Sequence, residues 1–450
     1  MVPLASYDRE HRVSAADCRL TGYRVHLTSG LHKVYEGSRK MTEQTTKEYS
    51  TDNTLSDDWS TEIAHTVEEI EAIRPIWEAM QAAESYPSIN ADIDRCLSVL
   101  EALGSNCRPL VLLLKQNGYP RAMVVGRLQR HAIPIRLGYM TLLRPKLQCL
   151  SVVYGGVLGQ PDEHVSLRLL RKLMSLLRRE NIDCIYFNHL RVQSAIYKQV
   201  HRIPSLFCRN HLPTVERHWR MSIPKNLETL LASRSKNTRK DLRRTLNRVT
   251  KSFPERLKLR VYDRPEQAET AFRDMAYINR NSYHLALADG VVMECQQRLI
   301  LEAAARQGWM RLYILYIDNQ PVAYEYILKC HRVCYAEATA YHPAWQRWNI
   351  GTFIILKAVE NLCSETEVSS IDFGFGDARY KKSLCDESWL EGEATYLFAP
   401  RIYPLLVNSI YGLNSVCTLA LRSILRKTRL FARVKRIWRQ ELQPGDVQQV

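Results

Sequence analysis

IDFGFGDARYKK, Ile371 to Lys382, begins as a short apolar strand and ends as a cluster of polar and charged side chains. The strand closes on Asp372 and Phe373 and runs into Gly374 and Gly376, then Asp377, Arg379, Tyr380, Lys381 and Lys382. Glycine allows backbone conformations and close approaches that other residues cannot, so the pair reads as a strand end opening against a ligand. A Gly-rich loop leaving a strand beside a solvated charge cluster would have the same local composition.

The order of residue types narrows the choice. Together with the roughly 150 residues before it, the segment resembles the acetyltransferase-like domain of proteins associated with bacterial cellulose and exopolysaccharide synthesis. That domain belongs to the Gcn5-related N-acetyltransferase (GNAT) superfamily and is related to the Fem-type transferases. The matching positions are Asp372, Phe373, Gly374, Gly376, Asp377, Tyr380 and Lys381. The resemblance implies an α/β fold with a mixed sheet, built as two tandem GNAT-like units, and transfer of an acyl group from acyl coenzyme A to an amine.

Outward from this segment, the 450 residues suit two or three domains. The 12 cysteines are scattered, with no CxxC pair and no His/Cys cluster at zinc spacing, so neither a disulfide framework nor a metal site is expected. No apolar run approaches the length of a membrane span, and the first residues lack a signal-peptide core, which points to a cytoplasmic protein. A net charge of +16 suits an anionic partner, whether phosphate, nucleic acid or membrane headgroups, without saying which.

Residues 1–58 lack apolar periodicity and read as a disordered tail. A first α/β unit is expected over 59–222. Its clearest signal is a hairpin, PLVLLLK and RAMVVGRL, turning at Asn117-Gly118. A helix from about Val165 to Arg179 and the strand CIYF follow. A second unit over 223–400 repeats the order: helices near 268–283 and 293–306, LYILYI, a turn at Asp318-Asn319, PVAYEYIL, VCYAEATAY, a helix over 350–362, then IDF. The second unit is expected to hold the active site and the first to be degenerate. Between them, ASRSKNTRKDLRRTLNRVTK carries eight Lys/Arg against one Asp, with Leu242, Leu246 and Val249 on one helical stripe. Arg239, Lys240 and Arg243 on this helix are candidate anion contacts. Residues 401–450 form a basic tail with nine Lys/Arg and no acid between Arg401 and Gln440, suited to an amphipathic helix at an anionic membrane surface or to a helix docked on the body.

Acyl transfer from a thioester needs a cradle for the pyrophosphate, a polarised carbonyl and a proton acceptor. The superfamily's cradle is a turn opening a helix, where N–H groups meet phosphates. Here it corresponds to QRWNIGTF, and Gln346, Arg347, Asn349, Ile350, Gly351 and Thr352 are the candidate cofactor contacts. The stretch departs from the family pattern by one extra residue between Arg347 and Gly351 and by Phe353 where a small residue is usual. For the base, the hairpin sets Glu325 and Glu337 within one residue of register, so mutual repulsion should raise one pKa. Asp377, Tyr380 as acid for the leaving thiolate, and Lys381 as an anion contact complete the catalytic candidates, with Gly374 and Gly376 lining the opening. His284, His331 and His342 are isolated, which leaves a catalytic triad without support. Two other readings fit the same residues: transfer from an aminoacyl-tRNA held by the basic helix, and a non-catalytic accessory protein of polysaccharide synthesis.

Overall fold

The computed structural model describes residues 58–137, 140–210, 214–281 and 290–427. The N-terminal run up to 57, His284 and the tail beyond Lys427 lie outside the described residues. In chain order the elements are β1 (Trp59–Ala64), α1 (Val67–Ala72), α2 (Arg74–Ala82), α3 (Ile93–Leu103), β2 (Cys107–Gln116), β3 (Tyr119–Ala132), β4 (Ile135–Leu137), β5 (Met140–Leu143), β6 (Lys146–Leu158), α4 (Glu163–Arg179), β7 (Cys184–Arg191) and α5 (Ala195–Arg202). Then come β8 (Val215–Ser222), α6 (Leu227–Ser233), α7 (Lys236–Ser252), β9 (Leu257–Tyr262), α8 (Ala268–Arg280), α9 (Gly290–Arg306), β10 (Met310–Ile317), β11 (Gln320–Cys330), β12 (Val333–Tyr341), α10 (Ile350–Leu362), β13 (Ser370–Phe375), α11 (Arg379–Leu384), β14 (Glu387–Phe398) and α12 (Ile402–Lys427).

Local chemistry accounts for many boundaries. Asn117 (φ 52°) and Gly118 (φ 79°) adopt the left-handed conformation a two-residue hairpin turn requires, and Asp318 (φ 53°) and Asn319 (φ 63°) do the same between β10 and β11. Ser235 caps the basic helix α7 by accepting from the Thr238 N–H. Helix α10 is apolar almost all round, with Ile350, Phe353, Ile354, Leu356, Val359 and Leu362 among its buried residues, because it lies between the sheet and α7. β1, β8, β9 and the short α11 carry too little periodic signal to be read from sequence.

Twelve strands form one mixed sheet in the order β1-β2-β3-β6-β7-β14-β8-β13-β12-β11-β10-β9, so the expected α/β class with a mixed sheet holds. Each half runs as antiparallel strands up to one parallel pair: β6 with β7 in the first, β12 with β13 in the second. The halves interlock at the middle. β8 ends the first half in the chain yet pairs with β13, and β14, the last strand among the described residues, inserts between β7 and β8.

Unpaired strand edges are costly and sticky, so neither half presents a finished sheet alone. Residues 58–222 expressed by themselves should therefore fail to give a soluble folded species, whereas the whole chain should show one cooperative melting transition for the sheet. Circular dichroism of the fragment and calorimetry of the whole protein test this; a stably folded fragment would show that β14 is dispensable to the first half.

Candidate active site

β12 and β13 pair only at Val333–Ser370, Cys334–Ile371 and Tyr335–Asp372, although β12 continues to Tyr341 and β13 to Phe375. Beyond Asp372 the strands part, and a gap opens at their carboxyl ends, the place where open α/β sheets bind ligands. Gly374 (φ 67°) sits at a register shift against β8, and Gly376 (φ 84°) follows it. A Cβ at either position would meet nothing within 4 Å, so the space beside both is open.

The QRWNIGTF stretch lies at the start of α10, directly after β12. Pro343–Trp348 forms a tight 3-10 turn whose Trp345 and Trp348 pack edge-on against Phe253, with centroids 5.4 and 5.1 Å away. Asn349 is left-handed (φ 56°, ψ 42°) and joins the turn to α10. Phe353 points into the core at 1% exposure, so its bulk does not occupy the cradle. Gly351 lies close to β12: a Cβ there would come within 3.0 Å of the Tyr341 ring. No side chain caps α10, which leaves first-turn N–H groups for a ligand. The corresponding helix of the first half, α4, is closed: Asp162 accepts from the Val165 N–H, and Glu84 accepts from the preceding Gly159 N–H at 2.7 Å.

The basic helix runs beside this turn, held by the Asn349 amide donating to the Thr245 hydroxyl at 3.1 Å. Lys240 is exposed and Arg239 half-buried, while Arg243 is paired with Glu228 at 2.6 Å. Gln346 and Arg347 are exposed, the Arg347 guanidinium lying over the Trp348 ring at 5.2 Å. An Arg379–Asp241 contact of 3.2 Å ties α11, and with it Tyr380 and Lys381, to the basic helix.

The two glutamates are not opposite each other. Glu325 pairs with Thr339, and Glu337 is the extra residue of a bulge, because Tyr326 pairs with Ala338 and Ile327 with Ala336. Glu325 alternates with Ala323 and Ile327, whose side chains pack on the α10 face. Glu337 instead feels Arg95 and Asp372. Burial, not mutual repulsion, raises both: it pushes Glu325 up to about 8 against the opposing pull of the Thr339 hydroxyl and the Lys381 ammonium, and it raises Glu337 against Arg95. Lys381, pushed down to about 8 by its own burial, donates to the Phe375 carbonyl and is 1% exposed, so it anchors the strand end and cannot serve as a surface anion contact. Asp377 accepts from the Trp219 indole at 3.2 Å and pairs with Lys382 at 2.9 Å. Tyr380 is half-buried, edge-on to Phe373 at 5.9 Å.

On the Glu337 side of the gap lies a buried polar chain that sequence reading missed. The His218 imidazole donates to Asp372 at 2.6 Å, and its other nitrogen lies 3.3 Å from the Tyr154 hydroxyl, which donates to Glu391 at 3.2 Å. Burial would raise Asp372, but the His218 charge and hydrogen bond, the Gly374 N–H and Arg220 more than offset it and hold the carboxyl below its usual range. His218 stacks between Trp389 (4.5 Å) and Tyr154 (5.5 Å), and the Arg191 guanidinium lies over both Trp389 (4.3 Å) and the half-exposed Tyr86 (3.7 Å). These groups come from β6, β7, β8, β13, β14 and the loop before α3; only Asp372 carried a sequence signal. Among the described residues, one group of metal-ligating types also gathers, Asp92, Cys330 and His331, with ligand atoms within 4.8 Å of one another.

The tandem mixed sheet is similar to that of known proteins. Residues 236–382 match the family described as acetyltransferase (GNAT) domain. No curated protein matches the sequence. The fold is similar to that of the crystal structure of FemX (TM-score 0.51, 10% identity, 77% of this chain and 100% of that one). It is equally similar to a tandem GNAT protein from the clavulanic acid biosynthesis pathway (TM-score 0.50, 12% identity, 77% and 100%). Residues 236–382, in the second half, thus match a GNAT acetyltransferase domain, and the fold is similar to that of a tandem GNAT protein. By class, the protein is an acyltransferase.

The Glu325 shift has a stability consequence with a definite sign. Between its ordinary 4.5 and about 8, the folded protein holds a proton there that the unfolded chain has released, so this contribution to stability declines as pH rises across that window. Glu325→Gln removes the decline, and the variant should gain on wild type from pH 5 to pH 8, each pKa unit corresponding to about 1.4 kcal/mol. Melting temperatures of the two proteins across that range test this; a difference independent of pH would place the titration elsewhere.

Proposed function

We propose that the protein is an N-acyltransferase that moves an acyl group, acetyl by resemblance, from acyl coenzyme A to an amine acceptor. The observation that carries the reading is the gap between β12 and β13, with the uncapped N-terminus of α10 at its mouth. A pyrophosphate there would accept from the N–H groups of Ile350, Gly351 and Thr352, favoured by the helix dipole, with Arg239 and Lys240 adding positive charge. The thioester arm would lie in the open space beside Gly374 and Gly376. Of the two glutamates, the half-buried Glu337 suits the base role, while Glu325, at 2% exposure, is enclosed. The acceptor nitrogen attacks the thioester carbon, Glu337 takes the amine proton, the C–S bond breaks and Tyr380 supplies the proton to the departing thiolate.

The first half is proposed to hold no carrier. Asp162 and Glu84 occupy its helix N-terminus, and past the paired stretch of β6 and β7, Tyr154 and His189 pack on Phe375 of β13, at 4.9 and 3.5 Å. The resemblance points the acceptor toward polysaccharide or cell-envelope synthesis. The same proposal sets the protein in the cytoplasm, peripheral to the inner membrane face through its basic tail. Transfer from an aminoacyl-tRNA is the competing reading, favoured by the location of the basic helix beside the gap.

Calorimetry with coenzyme A should give one site per chain, and ligand at 100 times its dissociation constant should add about 2.7 kcal/mol of stability. Asn349→Asp, which sets a carboxylate where the first half has one, should weaken binding at least tenfold, with at most a small fall in melting temperature from the lost amide bond to Thr245. Two sites would restore the first half as a carrier domain. No binding, together with stabilisation by aminoacyl-tRNA, would favour the competing reading.

Tyr380→Phe should slow transfer by about 10²-fold or more while leaving stability nearly unchanged. Unchanged turnover would remove this hydroxyl from the mechanism, and a large drop in melting temperature with proportionate loss of activity would make it part of the core.

A further inference from the structure

Asp92, Cys330 and His331 stand apart from the gap, where the start of α3 meets the turn between β11 and β12, and their ligand atoms lie within 4.8 Å of one another. The turn has two residues: Cys330 pairs with Val333, and His331 takes the left-handed conformation (φ 52°) that a tight hairpin accepts. This holds the imidazole out at 75% exposure while the neighbouring Cys330 is buried. Asp92 precedes α3, and one carboxylate oxygen caps the helix by accepting from the Arg95 N–H at 3.0 Å. The other faces the His331 Nε2 at 3.8 Å. Asp92 is 7% exposed, and among the described residues no Lys or Arg forms an ion pair with it, whereas Asp94 is taken up by Arg74 at 3.0 Å. A buried carboxylate is ordinarily paired or bound to a metal. The segment leading to Asp92 already belongs to both halves. The Tyr335 hydroxyl of β12 donates to the Pro87 carbonyl at 2.8 Å, and Ile89 packs among Met310, Leu312 and Leu328. Ala91 packs with Val111 and Leu113 of the first half, its carbonyl accepting from the Trp77 indole at 2.7 Å.

We propose that Asp92, Cys330 and His331 bind one zinc ion that fastens the first half of the protein to the β11–β12 turn of the second. A thiolate, an imidazole and a carboxylate are ordinary zinc ligands, and the thiolate and carboxylate together balance the two charges of the ion. Neighbouring ligand atoms of a tetrahedral zinc site stand about 3.3–3.6 Å apart, so the three groups must draw slightly closer, and the exposed imidazole is free to turn inward. Binding expels the thiol proton to solvent, and water takes the fourth position. β12 pairs with β13 as far as Tyr335 before the gap begins, so the ion sits at the paired end of the strand and its role is structural. Sequence spacing concealed the site because Asp92 and the Cys330-His331 pair lie in different halves of the chain. The site stands independently of the acyl-transfer reading.

Titration of the chelator-treated full chain with Co2+, its thiols kept reduced by a phosphine, tests the proposal. One equivalent should bind with a thiolate-to-cobalt absorption band in the near ultraviolet, and Zn2+ should displace it and raise the melting temperature by a few degrees. His331→Asn alters only an exposed side chain and keeps a residue that tolerates the left-handed conformation, so its metal-free melting temperature should match wild type. In that variant Co2+ affinity should fall tenfold or more and the zinc-dependent rise should disappear. Asp92→Asn, which retains a capping oxygen, should behave in the same way, and Cys330→Ser should lose the absorption band. A wild type without the band, or a band unchanged in Cys330→Ser, would overturn the site. Zinc that binds there without raising the melting temperature would overturn its role as a fastener between the halves.

Discussion

The structure depends on the hydrogen bond between His218 and Asp372. Both groups are buried at the centre of the sheet, where a polar group left without a partner is costly. The pair joins β8 to β13, and through Tyr154 and Glu391 the chain of contacts reaches β6 and β14. A slip of one residue in any of these strands would turn its polar group to the opposite face, so the network holds the register of the seam where the two halves exchange strands. Asp372 is also the last residue of β13 paired to β12. The interaction that locks the seam thereby sets where the gap begins.

Two halves with the same strand order end in different chemistry. In the first, carboxylates fill the helix N-terminus and aromatic rings from both halves close the space beyond the parallel pair. In the second, a left-handed asparagine stands at the helix N-terminus, and two glycines leave the strand end uncovered. The difference lies in a few side chains at matching places, and it makes Phe375 serve both halves: it belongs to the strand that lines the second gap while its ring covers the first. Lys381 belongs to the same arrangement. Its buried ammonium holds the Phe375 carbonyl, so the segment after the glycines returns to the sheet as a short helix instead of hanging free.

Features governed by neighbours in the chain were legible in the sequence. Asn117-Gly118 and Asp318-Asn319 specify hairpins through backbone conformation alone, and Ile350–Leu362 is bounded by its own apolar run. The open strand end at Gly374 and Gly376 was readable for the same reason, since positive φ is a property of the residue. Features set by the meeting of distant strands were not legible. Glu325 and Glu337 looked adjacent until a bulge, invisible in an alternating pattern, displaced one of them from the ladder and separated their surroundings. Lys381 read as an anion contact of the site; only the fold shows the carbonyl that receives its ammonium. His218, Tyr154 and Glu391 are ordinary residues on three strands far apart in the chain, and they become a network only because β14 crosses from the end of the molecule into its middle. By itself, then, the sequence determined the hairpin turns, the longer helices, the alternation of helices and strands and the place of the opening, all of which follow from backbone preference and short-range periodicity, while the tandem fold was implied by resemblance. The tertiary structure alone decided which charges are buried, which partners they have and which of the two openings stays clear, because burial and pairing depend on contacts between segments that local sequence cannot foresee.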